Sequence, residues 1–378
     1  MQLSEFSYSE NLGKLGEWSL ARFELENAML VVGKNATGKS RTLAVIHALA
    51  AIILAKRLPA LGLFEATFRS RQGQTVSYSL ESGWLKVLSE QLVVDGKVLL
   101  SRRADGSGTI CAALDSKLQE LPFQIEEDAL AVAAKRDRRL HPFLEPLHAW
   151  AEGVRLYPFG SHMGREEFAV LVKDAPPVDP SDWKRTVAVF LRGKQELGQP
   201  YIDAIKAQMR RLDYAIEDVE ARQPDSIVSQ SLLGPLLGLA VQEKDLGDHW
   251  VDQIAMSQGM FRALALMVHM TYALLAKKPS CVLLDDVGEG LDYKRSTLMI
   301  EILLELGKAS GSQILMATND RFVMNAVPLE HWAVLLRQGG KCRLLTYRNA
   351  REKFDSFREI GLNHFDLFSS GYLDDSAS

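Results

Sequence analysis

Two glycines, a lysine and a serine in GKNATGKS have the spacing of a phosphate-binding turn, Gly33-x4-Gly38-Lys39-Ser40. The glycines permit a tight turn that points backbone N–H groups inward. Lys39 can then reach the β- and γ-phosphates of a nucleotide, and the Ser40 hydroxyl can bind Mg²⁺. We therefore expect ATP and Mg²⁺ as ligands. The expected nucleotide-binding residues of this turn are Gly33, Lys34, Asn35, Ala36, Thr37, Gly38, Lys39, Ser40 and Arg41.

The residues on both sides of this turn have the patterns that such a site needs. A short apolar strand, 29–32, precedes it, and the apolar run 42–55 follows it. A helix over that run would add its N-terminal dipole to the anion site. The run is shorter than the roughly 20 residues that a bilayer span needs, and His47 interrupts it. It is therefore predicted to be a buried helix.

Two aspartates end a second apolar strand, 281–284. An uninterrupted apolar strand is typical of the centre of a parallel sheet, and open α/β sheets bind ligands at the carboxyl ends of their strands. At this end Asp285 is placed to hold Mg²⁺, usually through water. Asp286 would orient or polarise the attacking water.

A polar tripeptide, Ser257-Gln258-Gly259, opens the apolar helix predicted over 260–276, and Arg262 follows three residues after the glycine. A serine and a glycine at a helix start make a second anion-binding end, with free N–H groups, a hydroxyl and a positive dipole. Two such ends in one chain make sense if they serve different nucleotides. In a two-fold dimer, each Ser257 would cap the γ-phosphate held in the other subunit.

The order of these motifs resembles the ABC-type ATPases, and within them the SMC/RecF-like branch of stand-alone bacterial ATPases (AAA family). GKNATGKS is similar to that branch's phosphate turn, SQGMFRAL to its signature motif, and DDVGEGLD to its acidic strand end and following turn. The resemblance extends from about residue 29 to residue 321. It implies an α/β P-loop NTPase fold: an ABC-type ATPase head with an antiparallel β-subdomain and a short inserted helical lid. It also implies an ATP-dependent homodimer or higher homo-oligomer.

Three departures from the family pattern bear on the reaction. Asp286 stands where the family has a glutamate, and Asn319 stands where it has a histidine. These two changes indicate hydrolysis that is slow or stimulated by a partner, with Asp286, Lys39 and Asn319 as the expected catalytic residues. The segment 155–168, where a glutamine is expected, contains none. An asparagine after a strand is also typical of an AAA+-like ATPase, although that alternative leaves the SQG tripeptide unexplained.

The remaining sequence predicts the parts around these motifs. Residues 60–122 alternate as antiparallel strands with a turn at Asp95-Gly96, and Gly339-Gly340 marks a later hairpin. Apolar residues spaced 3-4-3-4-3 between Ile202 and Val219 indicate one helix of the lid, or a plain amphipathic helix on the core. The predicted segments are an N-terminal ATPase lobe (1–160), a helical lid (161–240), a C-terminal ATPase lobe (241–348), and a C-terminal helix and tail (349–378).

The amino-acid composition is typical of a globular protein and excludes some other classes. The chain has 378 residues, 47% hydrophobic and 24% charged, as in ordinary globular proteins. A net charge of -4 excludes a basic coat for nucleic acid. Three widely spaced cysteines and the absence of a signal-peptide pattern favour the cytoplasm.

A short basic segment is the one candidate contact with DNA. It contains Lys135, Arg136, Arg138 and Arg139. Such a cluster can neutralise phosphates, but a solvated surface loop is the favoured interpretation.

Together these observations predict a switch that dimerises on ATP and is reset by hydrolysis. Its output would pass to an effector protein, to DNA or to both, and the resemblance implies DNA repair or anti-phage defence. Two alternatives remain open: a module that senses ATP with negligible turnover, and a small-molecule P-loop kinase. A kinase would not need Ser257 to close its site.

Overall fold

A computed structural model describes residues 1–57, 61–70, 72–114, 117–170, 178–224, 235–276 and 281–370. The predicted tail after residue 370 lies outside the described residues. The strands are β1 (Gln2–Glu10), β2 (Trp18–Glu24), β3 (Ala28–Val32), β4 (Gly62–Arg69), β5 (Thr75–Gly83), β6 (Lys86–Val94), β7 (Lys97–Arg102), β8 (Ser107–Leu114), β9 (Lys117–Gln124), β10 (Val154–Pro158), β11 (Ala169–Val170), β12 (Ile216–Arg222), β13 (Leu236–Glu243), β14 (Trp250–Asp252), β15 (Cys281–Asp285), β16 (Gln313–Ala317), β17 (Trp332–Gln338) and β18 (Lys341–Thr346). The helices are α1 (Lys39–Ile53), α2 (Ala131–Ala134), α3 (Glu145–Gly153), α4 (Thr186–Leu197), α5 (Gln199–Arg211), α6 (Gln258–Leu275), α7 (Tyr293–Ser310), α8 (Arg321–Ala326), α9 (Arg351–Ile360) and α10 (His364–Ser369).

The chain forms two compact units. Unit 1 combines Met1–Val154 with Pro328–Ser378, and unit 2 is Arg155–Val327. The four segments predicted from the sequence were divided by their motifs and not by compactness. They remain a prediction.

Unit 1 is built on one sheet with the strand order β3-β17-β18-β2-β1-β4-β5-β6-β7-β8-β9. The strands from β1 through β4 to β9 pair antiparallel with their neighbours, which confirms the antiparallel strands predicted over 60–122. The predicted turn between β6 and β7 has left-handed backbone at Asp95 and Gly96, with φ of 50° and 80°. β17 and β18 form the predicted hairpin, and β17 pairs parallel with β3.

Helix α1 supplies much of the core of unit 1. Its apolar residues are buried on most of its surface, as predicted for the run after the phosphate turn. Large aromatic side chains of β1, β2 and β4 are also buried. They are Phe6, Tyr8, Trp18, Phe23, Phe64 and Phe68. The Trp18 ring lies 3.4 Å from a Cβ built on Gly38, so β2 contacts the start of α1.

Unit 2 contains the second apolar strand. β15 pairs parallel with β16, and β10 lies on the other side of β15. The parallel pairing expected for the acidic strand is thus confirmed. Helices α4, α5 and α6 pack against one another, and a small sheet carries β11, β13, β12 and β14.

The prediction of one helix from Ile202 to Val219 is wrong after Arg211. α5 ends there, Asp213 has a left-handed φ of 63°, and β12 begins at Ile216. Both halves of the apolar pattern are nevertheless buried. A register shift in β12 puts two apolar residues three positions apart on one face, so a bulged strand imitates helical spacing.

The described residues also limit other classes of site. Within them, no helix combines the length and apolarity that a membrane span needs. The three cysteines are free and buried, and burial raises the pKa of the Cys281 thiol to about 12. Such a thiol is unreactive at neutral pH.

Candidate functional site

The predicted phosphate-binding turn joins β3 directly to α1. Gly33 follows the strand, Ala36 has a left-handed φ of 62°, and Gly38 caps α1 with a φ of 109°. A Cβ on Gly33 would lie 2.7 Å from the Thr37 hydroxyl and 3.0 Å from the Leu335 carbonyl oxygen. The turn therefore needs glycine at both predicted positions, at the first for space and at the second for backbone conformation.

Lys39 is the buried cation of this turn. Its side chain is 7% exposed, and its ammonium group donates to the Gly33 carbonyl at 2.8 Å and to the Lys34 carbonyl at 3.2 Å. The Thr37 hydroxyl donates to the same Lys34 carbonyl at 2.8 Å. An ammonium group at this position is a donor that can bind the oxygens of an anion in the turn.

Other residues of unit 1 brace the turn from outside. The Arg337 guanidinium donates to the Ala36 carbonyl at 2.8 Å, and the Cys342 thiol lies 3.4 Å from the Thr37 carbonyl oxygen. The Arg41 guanidinium stacks 4.3 Å above the Trp18 ring and forms an ion pair with Glu10. Arg41, which was predicted to bind nucleotide, is thus held beside the turn by the β1 and β2 strands.

An open groove borders the turn on the sheet of unit 1. Its volume is about 890 Å³, and Lys34 and Thr37 form part of its wall. Five of its lining side chains are basic and one, Glu65, is acidic; the basic ones are Arg22, Lys34, Arg337, Lys341 and Arg343. Arg22 pairs with Glu5 at 2.6 Å, and the lining of the groove is basic on balance.

In unit 2, the two predicted aspartates lie at the end of β15. Asp285 is its last residue, and Asp286 follows with a left-handed φ of 53°. The next residue is fixed against β16, because the Val287 N–H donates to the Ala317 carbonyl at 3.0 Å. Aspartate adopts left-handed backbone more readily than most residues, so this conformation suits the turn that follows β15.

Gly160, in the loop after β10, lies close to Asp286. A Cβ built on Gly160 would lie 2.9 Å from Asp286 Cβ, 3.2 Å from Asp286 Oδ2 and 2.5 Å from Glu289 Oε2. The Gly160 N–H also donates to the Asp285 carbonyl, at 3.4 Å. The loop after β10, in which no glutamine was found, is therefore in contact with the predicted catalytic carboxylate.

Asn319 lies in the segment that follows β16, the strand next to β15. It is exposed, whereas its neighbour Thr318 is buried and donates its hydroxyl to the Val287 carbonyl at 2.8 Å. Asp320 caps α8 by accepting from Phe322 N–H at 2.7 Å. Within unit 2, Asp285, Asp286 and Asn319 thus follow neighbouring strands.

The predicted SQG tripeptide opens α6. Ser257 is the N-cap, and its hydroxyl accepts from Met260 N–H at 3.2 Å. Ser257 and Gln258 are exposed, while Gly259 is buried. A Cβ on Gly259 would lie 2.5 Å from the Gly290 carbonyl oxygen, so glycine allows the helix to pack against the turn after β15.

The sequence interpretation missed the role of Arg262. This residue is 5% exposed and donates three hydrogen bonds, to the carbonyls of Ser161 at 2.8 Å, Gly160 at 2.9 Å and Glu289 at 2.9 Å. It links the signature helix to the two segments beside Asp286. An arginine inside an otherwise apolar helix was the available signal, since such a charge is buried only when it is bonded.

The basic segment is partly neutralised by neighbouring carboxylates. Arg136 pairs with Glu145 at 2.8 Å and with Glu152 at 3.3 Å, and Arg138 lies 3.5 Å from Glu145. The hydrogen bond from Arg136 lowers the pKa of Glu145, so this carboxylate is ionised at neutral pH. Two of the four predicted DNA contacts are therefore engaged within the protein.

Comparison with solved structures identifies the fold as that of an SMC head domain. The SMC head bound to the C-winged helix domain of ScpA shares 12% identity, covers 93% of this chain and 100% of that one, and has a TM-score of 0.54. The SMC head domain from Thermotoga maritima has 14% identity, coverage of 92% and 99%, and a TM-score of 0.48. A third structure is the SMC head domain with an extended coiled coil bound to the C-terminal domain of ScpA, from Pyrococcus furiosus. It has 11% identity, covers 94% of this chain and 99% of that one, and has a TM-score of 0.47.

At this identity the first comparison shows the fold alone and assigns the chain to no particular family or branch. No protein-family model and no curated protein matches the sequence.

Proposed function

We propose that this protein is an ABC-type ATPase that binds ATP with Mg²⁺, dimerises on ATP and uses hydrolysis to reset the dimer. The observation that carries this proposal is the turn from Gly33 to Ser40, which holds the buried Lys39 ammonium against the carbonyls of Gly33 and Lys34 at the start of α1. The fold supports the same function, because SMC heads share it.

In this proposal the triphosphate of ATP lies in the turn. Lys39 would leave the carbonyls of Gly33 and Lys34 and donate to phosphate oxygens, which are stronger acceptors. The N–H groups at the start of α1 add to the same anion site. Ser40 and Asp285 are the proposed Mg²⁺ ligands, since a hydroxyl and a carboxylate are oxygen ligands of the kind that Mg²⁺ prefers. When bound, Mg²⁺ neutralises developing charge on the phosphates.

Asp286 is the proposed catalytic carboxylate. It would accept a hydrogen bond from the attacking water and hold it in line with the γ-phosphate. Gly160 lies beside this side chain and limits the space in which it can move, and the side chain is one methylene shorter than that of glutamate. Asn319 would orient the same water with its amide, but it cannot take up a proton. We therefore expect slow turnover.

The exposed start of α6 is the proposed second half of the site. Ser257, Gln258 and Gly259 would contact the γ-phosphate of the nucleotide held by a second copy of the chain. Ser257 and Gln258 are exposed at the start of α6, so both residues are accessible to another subunit.

An effector protein, DNA or both would receive the output of the dimer. The SMC head in the first comparison was solved with a domain of ScpA, and this supports a protein partner here. Lys135 and Arg139 remain as possible phosphate contacts, whereas Arg136 and Arg138 contact carboxylates. We also propose that the protein acts in DNA repair or anti-phage defence and that it is located in the cytoplasm.

The substitution Asp286→Asn tests the proposal. Steady-state phosphate release should fall about 100-fold or more, because loss of a positioned acid or base costs about 10²–10⁴-fold. ATP binding should survive, and chromatography with ATP should show more dimer than wild type. Asp128→Asn, at an exposed aspartate, is the matched control. Unchanged turnover, or no additional dimer, would show that Asp286 is not the catalytic carboxylate.

A second candidate is a module that senses ATP with negligible turnover. The short Asp286 and the non-basic Asn319 favour it. Wild-type phosphate release that stays at background with and without DNA, alongside tight ATP binding, would select this candidate.

A further inference from the structure

Arg262 occupies a position that packing alone does not explain. It is the charged residue of α6, it is almost fully buried, and each of its three donor nitrogens meets a backbone carbonyl. Two of these carbonyls belong to Gly160 and Ser161, and the third belongs to Glu289. The guanidinium therefore joins three chain segments that are far apart in the sequence.

A second set of hydrogen bonds also joins the segment after β10 to the segment at the start of α6. Arg165 donates to the carbonyls of Gln253 at 2.9 Å and Met256 at 2.6 Å, and also to that of Ile254. The fully buried Gln253 amide in turn donates to the carbonyls of Arg165 at 2.7 Å and Glu167 at 3.1 Å. We call residues 160–167 the clamp loop and residues 253–262 the signature segment.

The clamp loop and the signature segment are thus fixed to each other at both ends. Arg262 secures the start of the loop, and Arg165 and Gln253 secure its end. Hydrogen bonds to charged groups in a buried setting are stronger than neutral ones, so the two segments should move together.

The clamp loop also touches the predicted catalytic carboxylate. Gly160 lies so close to Asp286 that an added Cβ would be 2.9 Å from Asp286 Cβ. The Gly160 carbonyl is one of the three held by Arg262. A displacement of α6 is therefore passed through one guanidinium to the segment that confines Asp286.

We propose that Arg262 is a positioning residue that makes the placement of Asp286 depend on the Ser257 end of α6. This inference rests on the proposed ATPase function. When Ser257 meets the nucleotide of a second subunit, α6 and the clamp loop shift together and Asp286 reaches its working position. Hydrolysis is thereby confined to the closed dimer, since an open protomer has the carboxylate without its correct placement.

The test replaces Arg262 by lysine, which keeps the charge but has one nitrogen in place of three. Turnover at saturating ATP should fall about 100-fold, the usual cost of a displacement of about 1 Å at a reacting group. The affinity for ATP, measured by equilibrium binding, should stay within about two-fold of wild type, because the phosphate turn is built from other residues.

Arg102→Lys is the matched control. Arg102 is also buried and donates to the carbonyls of Val87, Arg103, Glu126 and Glu127, none of which is in the proposed site. This variant should lose thermal stability to a similar extent and keep its turnover. A merely structural role for Arg262 would give the two variants the same behaviour.

A second variant covers the case in which Arg262→Lys does not fold. Arg165→Lys loosens the clamp loop from its other end, where the guanidinium is partly exposed. It should lower turnover about 10-fold with unchanged ATP affinity.

The outcomes separate the two proposals. If the wild-type protein hydrolyses ATP and Arg262→Lys turns over ATP as fast as Arg102→Lys, the positioning role alone is overturned. A wild-type protein that fails to bind ATP overturns the proposed function and this inference with it. Loss of turnover in Arg262→Lys and Arg165→Lys but not in Arg102→Lys, with ATP binding retained, supports both.

Discussion

A single methyl group added at Gly160 should disable hydrolysis while leaving ATP binding intact. In Gly160→Ala, the new Cβ would start 2.9 Å from Asp286 Cβ and 2.5 Å from Glu289 Oε2. Carbon atoms in contact normally lie about 3.5–4.0 Å apart, so about 0.6 Å or more of overlap must be relieved. Glu289 is exposed and can rotate away. Gly160 itself is held by Arg262 and by the Asp285 carbonyl, so Asp286 must move.

The magnitude follows from that displacement. A shift approaching 1 Å at a reacting group costs about 100-fold in rate, or about 2.7 kcal/mol of transition-state stabilisation. Overpacking should also lower the free energy of unfolding by about 1–3 kcal/mol. The φ of Gly160 lies outside the left-handed region, so backbone strain adds nothing to this cost.

Steady-state phosphate release at saturating ATP measures the first effect, and equilibrium binding of labelled ATP shows whether the phosphate turn is intact. Gly83→Ala is the control, because a Cβ there would meet no atom closer than 3.8 Å. If Gly160→Ala hydrolyses ATP at the wild-type rate, the contact with Asp286 has no part in the reaction and the reasoning fails.

Two further predictions concern DNA and pH. If duplex DNA binds through the basic segment, changing Lys135, Arg136, Arg138 and Arg139 to alanine should make the plot of log affinity against log salt concentration less steep. The slope should change by about 1.8 rather than about 3.6, since two of the four cations contact carboxylates. An identical slope in the variant would leave the surface-loop interpretation standing. Burial, with a smaller effect of Arg155, lowers the pKa of His269 from 6.5 to about 4. Because the unfolded chain takes up this proton at a higher pH than the folded protein does, the free energy of unfolding should decrease by about 3 kcal/mol as pH falls from 6.5 to 4. Denaturation measured over this pH range should show that His269→Gln lacks this part of the loss. Parallel plots of unfolding free energy against pH for the variant and the wild type would contradict the prediction.

Local features were predictable from the sequence because local residues determine them. The phosphate turn lies between a strand and a helix that its own neighbours specify, and Gly38 has the left-handed backbone that its spacing requires. Asp95 and Gly96 formed the expected turn for the same reason. The carboxyl end of β15 was recognisable because an apolar run that stops at two adjacent aspartates is typical of a buried strand reaching the ligand-binding edge of a sheet.

Features that depend on distant contacts were not predictable. Arg262 and Ser161 are 101 residues apart in the chain, and no pattern in either segment indicates that they meet. Periodicity failed at Ile216 for a different reason, since a bulge in β12 reproduces the spacing of a helix. The constraint on Asp286 comes from Gly160, whose small size is informative only once its neighbour is known.

The central claim is that one subunit's Ser257 acts on the nucleotide held by another subunit's Lys39. Mixing Lys39→Ala with Ser257→Arg tests it, because their heterodimer has one site with both residues intact and one site with neither. Each variant alone should show no turnover, and Ser257→Arg should still bind ATP as a monomer. A one-to-one mixture should recover about a quarter of the wild-type rate, since half of randomly paired dimers are mixed and each has one working site. A Ser257→Arg protein that dimerises and hydrolyses ATP at the wild-type rate would contradict the account.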